Sequence, residues 1–238
     1  MRSLLRSWLG LFSIGALLAG CGGLADQPLP DDENKGSPSL PTLPPLGAPI
    51  IAPAKTWTWV NFPDAVCDDG SPTGIGVSLN PGSKDLLVFL QGGGACWDYD
   101  SCAVSNTSTH GPYGESQFNS TKLLFVIGSI LDRNAKSSFQ DMNMVYVPYC
   151  TGDVHTGDNV MTYDGGGDKK RVIHHKGRPN LIAFLKRIAA TVPAPGKLVV
   201  TGSSAGGFGS ALNYDVVRAF FPQAKSYLLD DSGPPMVG

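Results

Sequence analysis

The stretch Lys197-Leu-Val-Val-Thr-Gly-Ser-Ser-Ala-Gly206 decides the fold of this chain. Its apolar first half is typical of a buried strand, and residues 207–221 carry apolar side chains at helical spacing. A strand, a tight turn of small residues and a helix are the context that a G-x-S-x-G nucleophile elbow requires. The sequence therefore predicts that Ser204 lies at the turn with its hydroxyl exposed, beside the backbone N–H groups of a helix N-terminus.

Strands and helices alternate along the rest of the chain. Apolar runs predict strands near residues 56–62, 74–79, 85–91, 143–148, 197–202 and 226–230, and helices near 179–191 and 207–221. Asn80-Pro-Gly-Ser83 predicts a hairpin between the second and third strands, and Asp164-Gly-Gly-Gly-Asp168 predicts a mobile loop. This order favours one α/β domain over residues 56–238, with a largely parallel sheet and helices on both faces.

A second glycine-rich segment, Leu90-Gln-Gly-Gly-Gly-Ala-Cys-Trp97, directly follows a predicted strand. Esterases with such a sheet place a loop of this kind opposite the nucleophile, where its N–H groups stabilise the developing oxyanion. Glycine suits this role because no Cβ keeps the substrate away from the backbone. The predicted donors are the N–H groups of Gly93, Gly94 and Ala205.

The four histidines all precede Ser204 in the sequence. In α/β hydrolases the order is nucleophile, acid, base, so the histidine base is missing from its usual place. His155 lies in a loop near the predicted site and is a candidate for substrate contact. His174 and His175 precede a predicted helix, which favours positions in a loop or at the helix start.

The N-terminus has the pattern of an export signal. Two arginines, a short apolar run and small residues over positions 1–20 predict a signal peptide, and Leu18-Ala-Gly-Cys21 resembles a bacterial lipobox. Cys21 is therefore predicted to carry lipid. The proline-rich residues 21–55 predict a disordered tether, so we expect an exported chain that is lipid-anchored at the bacterial envelope or cell surface.

The composition indicates which partners and which kinds of site to expect. The formal net charge is −2 and no basic run occurs, which argues against nucleic acid as a partner. Apart from Cys21, four cysteines remain, and an even number in an exported chain favours disulfides. Metal binding is disfavoured because zinc sites usually combine two closely spaced pairs of ligands, and Cys96 and Cys102 have no second pair at a matching distance.

Several motifs together resemble one family, the pectin acetylesterases and the Notum carboxylesterases. The motifs come in the family's order: Cys67-Asp-Asp-Gly-Ser71, Gln91-Gly-Gly-Gly-Ala-Cys96, Val145-Tyr-Val-Pro-Tyr-Cys-Thr-Gly-Asp153, Gly202-Ser-Ser-Ala-Gly-Gly207 and Asp231-Ser-Gly233. The resemblance implies an α/β-hydrolase fold and a Ser-His-Asp mechanism that removes acyl groups from hydroxyl oxygens without a metal or organic cofactor. Acylated polysaccharide, or another ester such as palmitoleoylated Wnt, would be the substrate.

The same resemblance assigns roles to individual residues. It implies that Ser204 is the nucleophile and that Gly93, Gly94 and Ala205 form the oxyanion hole. It also implies the disulfides Cys96–Cys102 and Cys67–Cys150. Where family members usually have an aromatic residue, this chain has Ala95, and we expect Trp97 to supply that wall of the pocket.

The family's acid, base and last strands would follow residue 238, and three explanations stay open. The chain is a truncated, inactive portion lacking its C-terminal strands, or a base is recruited from His155, His174 or His175, or the chain is a noncatalytic remnant. Asp230 and Asp231 are candidates for the acid. A general carboxylesterase, lipase or depolymerase, and a noncatalytic glycan-binding surface lipoprotein, are the alternative functions.

Overall fold

Short apolar runs form a six-stranded sheet in a computed structural model that describes residues 44–134, 137–230 and 232. The strands lie in the order β1-β2-β4-β3-β7-β8, and β5 and β6 form a separate two-stranded sheet. The strands are β1 (Thr58–Val66), β2 (Pro72–Ser78), β3 (Leu86–Leu90), β4 (Asn143–Val147), β5 (Asn159–Asp164), β6 (Lys170–His175), β7 (Lys197–Gly202) and β8 (Lys225–Asp230). The helices are α1 (Glu115–Val126), α2 (Gly177–Thr191) and α3 (Ala205–Ala219), with a π-helical turn at Asp100–Val104.

The predicted mixture of a largely parallel sheet and helices on both faces is confirmed. β3 pairs in parallel with β4 and β7, and β7 pairs in parallel with β8. Alternate residues of β3 point to opposite faces. Leu86, Val88 and Leu90 pack with α2 and α3, whereas Leu87 packs in a second cluster with Phe118 of α1. Because β3 and β7 are parallel neighbours, their carboxyl ends meet at one edge of the sheet.

The predicted hairpin between the second and third strands is wrong. The turn itself forms, since the N–H of Ser83 donates to the carbonyl of Asn80 over 2.9 Å. However, β4 lies between β2 and β3 and pairs with both. Asn143, the first residue of β4, locks this arrangement because its side chain accepts from the N–H of Asn80 and donates to the carbonyl of Ser83.

The hairpin β5–β6 occupies a region that was predicted to contain a mobile loop and a helix start. The glycine run is the hairpin connection, where the N–H of Gly165 donates to Lys169 O over 2.8 Å. Gly166 and Gly167 adopt positive φ, which glycine tolerates best. His174 and His175 lie at the end of β6, not in a loop or at the start of α2.

The predicted tether reaches too far. Ile50 is buried, and its N–H donates to the hydroxyl of Thr191 at the end of α2 over 2.7 Å. The N–H of Gly47 donates to Lys186 O, and the guanidinium of Arg187 donates to the carbonyl of Ala48. The segment from residue 47 onward is therefore part of the domain, because proline-rich chain can pack against a helix that offers these partners.

The predicted signal peptide, Cys21 and the first part of the tether lie outside the described residues. Within the described residues, none of the helices combines the length and the apolar character that crossing a membrane requires.

Candidate active site

Ser204 occupies a strained turn between β7 and α3. Its backbone has φ 52° and ψ −121°, a conformation that residues with a Cβ rarely adopt and that costs about 1–3 kcal/mol. Ser204 is exposed, and its side chain does not cap α3. The turn is closed by hydrogen bonds from Ser203 N–H to Leu90 O (3.2 Å) and from Gly206 N–H to Ser203 O (2.8 Å). The turn thus presents a serine hydroxyl at the carboxyl end of β7.

Three glycines allow the turn and the neighbouring loop to approach each other. A Cβ on Gly206 would collide with the carbonyl oxygen of Leu90, and a Cβ on Gly202 would collide with the backbone of Gly206. A Cβ on Gly92 would collide with Ser203 O and lie 2.9 Å from the Cβ of Ser204. Gly92, which sequence reasoning did not single out, therefore brings the glycine-rich loop into contact with Ser204. Its only signal was membership of a glycine run.

The glycine-rich loop follows β3 and is held by backbone contacts on the side away from the turn. The carbonyl of Gly93 accepts from Thr109 N–H over 2.7 Å, and Gly94, at φ 74°, forms a β-bridge with Ser108. Among the described residues, no acceptor receives the N–H of Gly93, Gly94 or Ala205. These amides are thus available to a ligand, while their predicted role as an oxyanion hole stays a prediction.

Both of the expected disulfides are present, Cys67–Cys150 and Cys96–Cys102. The second closes the loop that begins just after Gly94, and this loop packs against Ile173 of β6. The sulfurs of Cys96 and Cys102 and a nitrogen of His175 lie within 4.8 Å of one another. Because the two sulfurs are bonded to each other, neither is a thiolate that can ligate a metal in this state.

Trp97 lies within the loop that the Cys96–Cys102 disulfide closes and is 67% exposed, so its ring is free to form a wall of a binding surface. The loop around it is rigid on one side. The N–H and hydroxyl of Ser101 both donate to the carboxylate of Asp98, and these bonds, with the hydroxyl contributing most, lower the pKa of Asp98. The proposed contact of Trp97 with substrate stays a prediction.

His155 is buried, with 2% of its surface exposed. Its Nε2 donates to the carbonyl of Gln91 over 2.8 Å, and its ring packs 4.8 Å from that of Tyr149. Burial lowers the pKa of His155, since the charged form would lose its hydration. The side chain therefore supports the glycine-rich loop from the interior, and the expected contact with substrate finds no support in this position.

Asp153 organises the loop in which His155 lies. Its carboxylate accepts hydrogen bonds from the hydroxyl of Thr151 (2.6 Å) and from the N–H groups of His155 (3.1 Å), Gly157 (3.1 Å) and Gly177 (2.7 Å). Gly177 begins α2, so one carboxylate fixes both the loop and the helix start. This role explains why an aspartate ends the motif at residues 145–153.

The other candidate bases are engaged elsewhere. Nδ1 of His174 bonds to the carbonyl of Asp68 over 3.1 Å. Nδ1 of His175 bonds to Thr151 O over 2.8 Å, and its Nε2 lies 3.0 Å from the hydroxyl of Tyr163. In the described parts of the chain, no histidine forms a hydrogen bond with Ser204. Asp230 is paired in register with Gly202 at the end of β8, and Asp231 lies outside the described residues.

A cavity of about 560 Å³ opens beside the turn. Phe89 at the end of β3, Ser203 of the turn and Leu229 of β8 contribute to its wall. Ser203 lines the cavity and Ser204 does not, so the cavity borders the turn at Ser203.

Comparison with known proteins points to a single family. The sequence model of the pectinacetylesterases matches residues 56–234. Palmitoleoyl-protein carboxylesterase notum2 of Xenopus laevis is 29% identical over 161 residues, which are 67% of this chain and 32% of the relative. Palmitoleoyl-protein carboxylesterase NOTUM of Drosophila melanogaster is 30% identical over 164 residues, which are 67% of this chain and 24% of the relative.

A solved structure gives the same result for the fold. The Wnt deacylase Notum from Drosophila superimposes with a TM-score of 0.58 at 25% identity, covering 76% of this chain and 57% of that chain. The chain thus spans about a third or less of the length of these two curated relatives.

Proposed function

Because this chain belongs to the pectinacetylesterase family and has the α/β-hydrolase fold of Notum, we propose that it is the part of a serine esterase that carries the nucleophile and the oxyanion hole. The observation that carries the proposal is the strained turn at Ser204, which contacts a loop with unused N–H groups. Strain of this kind is concentrated at functional sites.

In this proposal the hydroxyl oxygen of Ser204 attacks the ester carbonyl carbon, and a histidine accepts the hydroxyl proton. The N–H groups of Gly93, Gly94 and Ala205 donate to the oxyanion that forms. The histidine then protonates the departing alkoxide, which leaves an acyl group on Ser204. Water, activated by the same histidine, releases the acid and restores the serine.

The proposed substrate is an ester of a hydroxyl group, with an acetylated polysaccharide as the first candidate. The name of the family supports acetyl groups on a polysaccharide, whereas the named relatives support a longer acyl group on a protein. Trp97 is the exposed aromatic wall beside the glycine-rich loop that would contact either substrate.

The proposal includes a base and an acid from outside the described residues. Each of the three histidines considered from the sequence has a ring nitrogen bonded within the fold. We therefore expect the 238-residue chain alone to be nearly inactive. The oxyanion donors by themselves can retain about 10³–10⁴-fold acceleration over water.

The site of action belongs to the same proposal. The lipobox-like ending at Cys21 supports a lipid anchor, which would hold the domain at the cell envelope and bring it to polymeric substrate there. Metabolic labelling with a palmitate analogue would detect the anchor, and a Cys21→Ser variant should lose the label.

The decisive experiment compares the full-length gene product with the 238-residue chain. Release of acetate from acetylated pectin, and of acyl groups from a palmitoleoylated peptide, is measured for both, together with labelling of Ser204 by a fluorophosphonate. We expect activity and labelling in the full-length product, loss of both in Ser204→Ala, and neither loss in the control Ser120→Ala, an exposed serine of α1.

Two results would contradict the proposal. If Ser204→Ala keeps its activity, Ser204 is not the nucleophile. If the 238-residue chain is as active as the full-length product, the base lies within it. Strong glycan binding without any labelling would instead favour the noncatalytic surface lipoprotein.

A further inference from the structure

A buried carboxylate lies in the loop after β1. Asp68 has no exposed side-chain surface and follows Cys67 of the Cys67–Cys150 disulfide. One carboxylate oxygen accepts from the N–H of Gly111 over 2.6 Å. The other accepts a hydrogen bond from Nδ1 of His110 and lies 4.0 Å from the guanidinium of Arg171. The carboxylate is therefore fixed in position and aimed at one imidazole.

The contact with Asp68 determines which nitrogen of His110 can act as a base. In the neutral ring one nitrogen carries the proton and the other accepts. A carboxylate at Nδ1 favours the proton there, so Nε2 is left with its lone pair. The atom facing Nε2 is the hydroxyl oxygen of Ser108, 3.5 Å away. Such bonds are often long before a substrate is bound.

Ser108, His110 and Asp68 are therefore arranged like a nucleophile, its base and the residue that orients the base. The sequence gives no sign of this arrangement, since Asp68 and His110 are 42 positions apart. Within the described residues, no hydrogen bond joins Ser204 to any of the three.

The surroundings of Ser108 limit what can reach it. Isolated β-bridges pair Ser108 with Gly94 and His110 with Thr151, which holds the backbone at both residues. A Cβ on Gly152 would lie 3.0 Å from Sγ of Cys96 and 3.2 Å from the hydroxyl oxygen of Ser108, so only glycine fits this closely packed position. Ser108 itself is 8% exposed, and the side chain of His110 is 17% exposed. Because so little of either side chain is exposed, a small electrophile suits this site better than a polymer.

We propose that Ser108, His110 and Asp68 form a second activated serine, which accepts an acyl group from small activated esters independently of Ser204. The Ser108 oxygen bonds to the carbonyl carbon while the bond from that carbon to the phenolic oxygen breaks. The serine proton passes to Nε2 of His110 and then to the departing phenolate. The products are acyl-Ser108 and a phenol, and water later releases the carboxylic acid.

The test uses the 238-residue chain with Ser204→Ala, incubated with 4-nitrophenyl acetate and examined by peptide mass spectrometry. We expect an acetyl group on Ser108, and labelling about 100-fold or more slower in His110→Gln, since glutamine can still bond to Asp68 but cannot accept a proton. Asp68→Asn should also be slower. Ser105→Ala, which removes an exposed hydroxyl three residues away, should not change the rate.

Thermal melts identify which variants are folded. Absence of acetyl on Ser108 in the Ser204→Ala chain overturns the proposal without any further variant. Acetylation of Ser108 at an unchanged rate in a folded His110→Gln or Asp68→Asn chain overturns it as well. Because residue 204 is alanine throughout, none of these results depends on whether Ser204 is the esterase nucleophile.

Discussion

The strain at Ser204 can be measured as a difference in stability between two substitutions. Ser204→Ala removes the hydroxyl but keeps the Cβ at φ 52° and ψ −121°. Ser204→Gly removes the Cβ as well and so relieves the strain. Neither variant keeps the hydroxyl group, and the comparison therefore isolates the effect of the backbone conformation.

The expected difference follows from two opposing effects. Relief of the strained conformation stabilises the folded state by about 1–3 kcal/mol. Glycine also gives the unfolded chain more freedom, which offsets about 0.4–1 kcal/mol of this gain. We expect Ser204→Gly to be more stable than Ser204→Ala by about 1 kcal/mol, which raises Tm by roughly 2–4 °C for a domain of this size.

The assay is urea unfolding and thermal melting of the 238-residue chain, with the same pair of substitutions at Ser210 as a control. Ser210 is buried in the interior of α3, where glycine is less stable than alanine by about 1 kcal/mol. The two positions should therefore give opposite signs. If Ser204→Gly is also less stable than Ser204→Ala, the strained turn does not exist and the assignment of Ser204 as nucleophile loses its foundation.

Three further predictions concern the rest of the domain. Replacing Cys67 and Cys150 by alanine removes a cross-link between positions 83 residues apart, so urea unfolding should show a loss of about 4–5 kcal/mol, and a loss below 1 kcal/mol would contradict the chain-entropy argument. Burial lowers the pKa of His155 below its unfolded value near 6.5, so the unfolded chain binds a proton more readily than the folded one. The free energy of unfolding is therefore highest above that pH and falls by up to about 1.4 kcal/mol per pH unit as the solution is acidified. The free energy of unfolding, measured between pH 7.5 and 5.5, should depend less on pH in His155→Gln than in the parent chain. An equal dependence on pH in both chains would refute this. β8 is the last strand of the six-stranded sheet and Leu228 on it is 38% exposed, so we expect the chain to self-associate through this strand. Leu228→Lys should therefore reduce self-association measured by light scattering, whereas Ile51→Lys, at a 96% exposed position off the sheet, should not.

Local signals explain why the turn at Ser204 could be predicted and the sheet order could not. The strand over residues 197–202, the small residues and the helix are adjacent in sequence, so each supports the others. The turn at residues 80–83 was also recognisable, but pairing depends on β4, which comes 60 residues later and inserts between the strands. No local pattern contains that information.

Physical causes also explain why the helix α1 and the hairpin β5–β6 were not predicted. The helix α1 carries polar residues among its apolar ones, and its sequence gives no continuous apolar stripe even though Phe118 is fully buried. The hairpin β5–β6 is mostly exposed, so its strands lack the apolar alternation by which strands are recognised. The pairing of the cysteines came from family resemblance, since four cysteines alone allow three pairings.

The close approach of the backbone at Gly92 to Ser203 and Ser204 restricts which residue position 92 can hold. A Cβ added to Gly92 would collide with the carbonyl oxygen of Ser203, so the glycine-rich loop cannot gain a carbon atom there without displacing the turn at Ser204. In the proposed esterase, a change in the size of the accepted acyl group would therefore come from exposed positions such as Trp97 and not from residue 92.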